Sequence, residues 1–195
     1  MNTANHVTLR LCWDVKSLRT KERVRVVRQV LARGCAKPGF RVTQYTVMSS
    51  HLHMVIEADS KRRLSSGMNG LASRLGRRIN DVSGRTGRVF ADRYHAHVLR
   101  SAREIRNSLA YVLLNLRRHT ARNGRCYLKP EPDPFSSGPM FDGWKEKRET
   151  SPPDPDEGPC IAEPLGWLLK FGWRRRGLIS LSEVPGPKSA SSVSR

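Results

Sequence analysis

The chain predicts an α+β domain in which helices pack on an antiparallel sheet. Stretches of period-two alternation are interleaved with stretches whose apolar residues recur three and four apart, and Gly, Pro and Ser clusters separate them. No internal repeat of solenoid length interrupts this order.

In the first strand Val7, Leu9, Leu11 and Trp13 alternate with His6, Thr8 and Arg10, so one face is apolar and the other polar. Residues 17–36 predict a helix with Val24, Val27 and Leu31 on its buried stripe, ending before Pro38-Gly39. A β pair follows over residues 40–48 and 51–58, joined through Ser49-Ser50. The next helix, 61–82, carries Leu64, Met68, Leu71, Leu75, Ile79 and Val82 at helical spacing, with Arg62, Arg63, Arg74, Arg77 and Arg78 on its other sides. Gly84-Arg85-Thr86-Gly87 breaks it before a fourth strand over 89–99. Ser101 with Glu104 then reads as a capping box, and Ile105, Leu109, Val112 and Leu116 form the apolar stripe of a last helix. The order β-α-β-β-α-β-α is that of a ferredoxin-like βαββαβ(α) sandwich. Its helices are expected on one sheet face, leaving an open polar face that carries Thr8, Arg10, His51 and His53.

The densest chemistry lies in the run Val47-Met48-Ser49-Ser50-His51-Leu52-His53-Met54-Val55-Ile56. Strand alternation turns His51 and His53 to one side while Leu52, Met54 and Ile56 anchor the other, so two imidazoles converge where they could hold a metal ion. Alone, an H-x-H is equally compatible with two packed or solvated histidines. In the last helix Asn107, Tyr111 and Asn115 fall one turn apart on a second stripe, a pattern also met in an ordinary half-buried aromatic.

Together, the H-x-H on a central strand, the basic helix, the stretch Gly87-Arg88-Val89-Phe90-Ala91-Asp92-Arg93-Tyr94-His95 and the helix with Tyr111-x-x-x-Asn115 resemble the single-tyrosine HUH transposases. Within them, the bacterial REP-associated tyrosine transposases and their stand-alone relatives are the nearest in pattern. The resemblance covers roughly residues 5 to 122, and the segments Asp133-Pro134-Phe135-Ser136-Ser137 and Trp167-Leu168-Leu169-Lys170-Phe171-Gly172-Trp173-Arg174-Arg175 resemble later stretches of one branch. It implies that His51 and His53 are metal ligands, that Tyr111 is the nucleophile, and that the amide of Asn115 completes a site for Mn²⁺ or Mg²⁺. The implied reaction nicks and rejoins single-stranded DNA of the hairpin-bearing kind, through a 5′-phosphotyrosine that needs no nucleotide cofactor. Many relatives follow the tyrosine helix with Asn-Pro, whereas Asn115-Leu116 predicts an uninterrupted helix here. A second H-x-H, His95-Ala96-His97, lacks flanking apolar alternation, and DNA contact or support of the tyrosine is expected of His95.

A formal charge of +19 and a pI near 11.0 call for a polyanionic partner, nucleic acid before an acidic membrane surface. Residues 61–125 hold 16 Lys or Arg against 3 Asp or Glu, which predicts a phosphate-tracking surface, with Arg10, Arg62, Arg63, Arg74, Arg77, Arg78, Arg93 and His95 as its contacts. A non-catalytic nucleic-acid-binding module on the same fold is the competing reading, and a structural nucleoid protein a third; neither calls for this histidine–tyrosine set. No run of 18 apolar residues and no signal-peptide core is present, so a cytoplasmic, nucleoid-associated protein is expected, without a membrane partner and as monomer or homodimer. Cys12, Cys35, Cys126 and Cys160 form no C-x-x-C, against a zinc cage or disulfide framework. The expected organisation is a catalytic domain over 1–125, a Pro-rich acidic linker over 126–163 pinned at its start by Phe135, Met140, Phe141 and Trp144, a basic amphipathic helix over 164–181 and a disordered tail over 182–195.

Overall fold

A computed structural model describes residues 2–124, 129–147, 149–150 and 159–186. Five antiparallel strands form one sheet in the order β2-β3-β4-β1-β5, with β1 Thr3–Arg10, β2 Ala36–Lys37, β3 Phe40–Val47, β4 His51–Ala58 and β5 His95–Leu99. The helices are α1 Lys21–Ala32, α2 Lys61–Ser83, α3 Ala102–Leu113, α4 Asn115–Arg122 and the short α5 Trp167–Lys170. The ferredoxin-like order is present, with the two-residue β2 added at one edge.

Strand parity explains the layers. On β1 and β4, Val7, Leu9, Leu52, Met54 and Ile56 point to a face covered by α1 and α2, whose Val24, Val27, Leu31, Met68, Leu71, Leu75 and Ile79 are buried against them. A bulge between Val42 and Gln44 inserts one residue in β3, which keeps Phe40 and Val42 on the same face as Tyr45 and Val47. Burial of each such side chain contributes about 1.5–3 kcal/mol, so this layer dominates the domain's stability. At Gly67 the packing is closest: a Cβ there would lie 2.2 Å from the Phe40 ring, so α2 approaches β3 only because the side chain is missing.

The second face is not open, contrary to the sequence expectation. Ala4, Val55 and Leu99 lie beneath Ile105, Leu109, Val112 and Leu113 of α3, and Phe141, Trp144, Trp173, Ile179 and Leu181 extend that layer. The apolar stripe of α3 therefore has a sheet partner of its own, and only the Thr8, Arg10, His51 and His53 end stays polar.

Other expectations are corrected at element ends. Trp13 is 98 % exposed, because β1 ends at Arg10 and the chain turns before Trp13 can join the apolar face. α1 starts at Lys21, where Thr20 caps it, since Leu18 is tied to the Ser49 carbonyl and cannot wind. β5 begins only at His95; Phe90 and Val89 pair with Leu11 and Cys12, just past β1, and bends at 91–93 separate them from β5. The helix expected to run on through Asn115 is broken at Leu114 (φ −107°, ψ 19°), with no Pro or Gly to break it; buried Leu114 and Asn115 place the cause in tertiary packing.

The helix expected over 164–181 is α5 followed by a 3₁₀ helix, Gly172–Arg176. Gly172 sits under the Trp167 ring, where a Cβ would meet it at 2.7 Å, and Gly177 (φ 84°) ends the turn. The described part of the Pro-rich segment is docked on the domain. Asp133 accepts two hydrogen bonds from the Arg19 guanidinium at 2.8 and 2.9 Å, Ser137 donates to Gln44, and Trp144 donates its indole N–H to Gly138. Phe141 and Trp144 are buried, whereas Phe135 and Met140 are half-buried. Glu183, expected in the tail, is paired with Arg106 at 2.7 Å. Residues 151–158, 187–195 and Cys126 lie outside the described residues.

Candidate active site

All six histidines of the chain lie on one side of the sheet. The register places His53 opposite Thr8, His51 opposite Arg10, His97 opposite His6 and His95 opposite Thr8, so parity alone puts five imidazoles on the second face. α4 brings the sixth, His119, to 6.1 Å between ring centroids from His51.

Tyr111 descends onto this group from α3. Its ring is 5.2 Å from the His53 ring, edge-on, and 5.4 Å from His6; the Arg118 guanidinium lies 5.0 Å over its face and donates to the phenol oxygen at 3.4 Å. The tyrosine is half-buried, open to a cavity of about 500 Å³ whose wall includes His6, His97, Asn107 and the 183–186 segment.

His51 and His53 meet edge to face at 4.6 Å. Nδ1 of His53 has two partners, Thr8 Oγ1 at 3.0 Å and His6 Nε2 at 3.3 Å, while its Nε2 is buried with no partner. Nδ1 of His51 is bonded to Ser50 Oγ at 3.1 Å. Burial first, then His51, His6, His119 and Arg118, pushes His53 down to about 2. Burial, then His97, brings His6 down to about 4. His51 and His119 are lowered too, each by burial first and next by a cationic or histidine neighbour: His119 and Arg10 for His51, Arg118 and Arg122 for His119. Neutral imidazoles with free lone pairs follow, the form a metal requires.

Asn115 is fully buried, and neither its Oδ1 nor its Nδ2 has a hydrogen-bond partner. An unpaired buried amide costs free energy unless something else binds it. Among the described residues no group of three or more His, Cys, Asp or Glu could hold a metal ion. An amide falls outside that donor class, and the unpartnered His53 Nε2 and Asn115 Oδ1 are buried donor atoms of the kind a cation takes.

The other expected contacts divide. Arg10 and His95 are exposed at the histidine end of the sheet, and Arg93 is exposed in the bend before β5. Arg62, Arg63, Arg74, Arg77 and Arg78 belong to α2, across the sheet from the histidines, so the basic helix and the tyrosine do not share a surface. Arg74 is partly buried, its guanidinium occupying the space above Gly34. Sequence reasoning missed His6, Arg118 and His119 as neighbours of the site. His6 was legible on the polar face of β1, and His119 as the next member of the stripe Tyr111, Asn115; Arg118 carried no such signal.

A ferredoxin-like sandwich with an H-x-H on its central sheet and a tyrosine helix over the same face is the fold of the single-tyrosine transposases. Residues 3–114 match the family model described as IS200-like transposase, and the chain belongs to that family. Among solved structures it is similar to a REP-associated tyrosine transposase bound to a REP hairpin, with 16 % identity and a TM-score of 0.51 over 69 % of this chain and 76 % of that one. A chain described as a transposase from Deinococcus radiodurans R1 aligns with 10 % identity and a TM-score of 0.44, over 66 % of this chain and 94 % of that one. No curated protein sequence matches. No helix among the described residues is long and apolar enough to cross a membrane.

Proposed function

We propose that the chain is a single-stranded DNA transposase and nickase in which Tyr111 is the nucleophile and His51, His53 and Asn115 hold a divalent metal. The observation that carries this reading is the convergence, on one sheet face, of Tyr111 with a histidine pair whose member His53 keeps Nε2 unpartnered.

The phenol oxygen of Tyr111 attacks the scissile phosphorus, the P–O3′ bond breaks, and the DNA is left with a 5′-phosphotyrosine and a free 3′-hydroxyl. The phenol proton leaves to solvent and the departing 3′-oxygen takes one up, so the number of phosphoesters is unchanged and rejoining is the same exchange reversed. Arg118, stacked on the ring and donating to its oxygen, holds and orients the nucleophile. Thr8 and His6 hold His53 by Nδ1, which turns Nε2 toward the site and sets the tautomer a ligand needs. When bound, the cation polarises the phosphate and offsets its charge. All three donors are neutral, so the double charge of the ion is left for the substrate; on ligand softness two imidazoles suit Mn²⁺ better than Mg²⁺. Support for a hairpin-bearing DNA comes from the similar structure, which holds a REP hairpin.

The test is incubation of the full chain with an end-labelled, hairpin-bearing single strand and Mn²⁺, followed by a denaturing gel. A covalent protein–DNA adduct is expected from the wild type and none from Tyr111→Phe, whose DNA affinity stays near wild type because only one oxygen is lost. An adduct that persists in Tyr111→Phe and maps to another residue overturns the assignment.

A further inference from the structure

The C-terminal segment 164–181 lies wholly outside the residues matched by the family model, and it displays an unusual surface. Leu165, Trp167, Phe171 and Leu178 are 60 %, 54 %, 53 % and 40 % exposed, and they make up most of the large apolar side chains left in solvent among the described residues. Leu169 and Trp173, from the same two turns, are 4 % and 1 % exposed and lock the segment onto α3. The exposed rings are therefore held on a rigid base.

Cations sit on these rings. Arg175 lies 5.0 Å over Trp167, and the Lys170 ammonium 5.4 Å from the Phe171 centroid; Arg176 is exposed beside them. Arg174 stacks 5.0 Å from buried Trp173 and is paired with Asp142 at 2.8 Å, so it is structural. Trp167 and Phe171 are four residues apart, one helical turn, and Gly172 lets Trp167 lie flat across the turn that follows. Flat aromatic faces interleaved with unpaired guanidinium and ammonium groups match unpaired nucleotides, whose bases stack while their phosphates meet the cations. A protein partner's apolar core would find this patch too charged, since charged residues are depleted at such cores.

The patch is tied to the sheet that carries the catalytic candidates. The buried carboxylate of Glu57, at the end of β4, accepts from the backbone N–H groups of Leu165 and Gly166 at 2.7 and 2.8 Å. Glu57 shares its sheet face with His53, four residues along the same strand, a distance of about 13 Å at the rise of a strand.

We propose that Trp167 and Phe171, with Lys170, Arg175 and Arg176, form a stacking surface for unpaired nucleotides of a DNA strand that is also engaged at Tyr111. It rests on the nucleic-acid reading above and adds a second contact, supplied by the C-terminal extension.

The experiment is fluorescence anisotropy of the full chain with a fluorescein-labelled oligothymidine, which forms no hairpin. Replacing Trp167 and Phe171 together with alanine is expected to weaken binding by on the order of tenfold to a hundredfold. Trp167→Phe should keep most of the affinity, and thermal unfolding of both variants should stay near wild type, as both rings are more than half exposed. On the wild type, ultraviolet cross-linking of 5-bromouracil DNA should label the peptide containing residues 164–176, which decides the matter even if the double variant folds poorly. Unchanged affinity in the double variant, or a cross-link confined to other peptides, overturns the surface while leaving the tyrosine chemistry intact. Self-association of the wild type that the double variant loses, with DNA affinity kept, assigns the patch to a second copy and also overturns it. A wild type that binds no single strand sinks the nucleic-acid reading itself.

Discussion

His53 shows how one residue takes its properties from three elements. Its own strand buries it, Thr8 and His6 on the neighbouring strand hold Nδ1, and Tyr111 from α3 closes over its ring. Metal binding should therefore follow this pair and not the other H-x-H: His51→Ala with His53→Ala loses Mn²⁺ in a calorimetric titration, whereas His95→Ala with His97→Ala keeps it. The reverse result would move the site to β5. The lowered histidines also predict acid sensitivity in the metal-free protein. Below about pH 6.5 the unfolded chain takes up protons at His6 and His53, while the folded chain does so only near pH 4 and 2, so the unfolded state binds more protons and stability falls as pH drops through that window. Urea midpoints measured with chelator at pH 7 and pH 5 should show the loss, and His53→Gln should reduce it. A midpoint independent of pH would show that these imidazoles are not buried neutral.

At the scale of elements, α2 and α3 illustrate what holds the two layers to the sheet. α2 meets β3 through Gly67, and Gly67→Ala must push a Cβ into the buried Phe40 ring. A destabilisation of about 1–3 kcal/mol is expected from chemical denaturation, the usual magnitude of core overpacking. α3 is held from above by Trp173, buried to 1 % on its outer side. The starts of α2 and α3 were legible in the sequence because Ser60 and Ser101 are capping residues whose hydroxyls accept from the third residue on, whereas α1, expected from residue 17, starts only after its cap Thr20. In the box at Ser101, Glu104 accepts from the Arg100 N–H. The break at Leu114 had no local signature, and neither did the shortening of the C-terminal helix beyond its glycines.

For the whole molecule, the decisive quantity is where +19 of charge lies relative to the chemistry. The arginines of α2 occupy the far side of the sheet, while Arg10 acts on His51 and Arg122 on His119. Salt dependence of DNA binding separates the two surfaces. Arg10→Ala with Arg122→Ala should flatten the slope of log affinity against log salt by about 1.4, at ~0.7 per lost contact on a single strand. Arg77→Ala with Arg78→Ala should leave it nearly unchanged. The opposite outcome would place the DNA on α2 and require it to wrap the sheet edge to reach Tyr111.

The alternation along β1 and β4, the capped amphipathic helices and the order of elements were enough to determine the ferredoxin-like layout and to put His51 and His53 together. These are local patterns, fixed by backbone geometry within a few residues, and a sequence displays them directly. The pairing of Tyr111 with His53, the addition of His6 and His119, the closing of the second sheet face by α3 and Trp173, and the separation of α2 from the histidines depend on which face each element covers. Face choice is settled by burial summed over residues distant in the chain, so only the tertiary structure decided it.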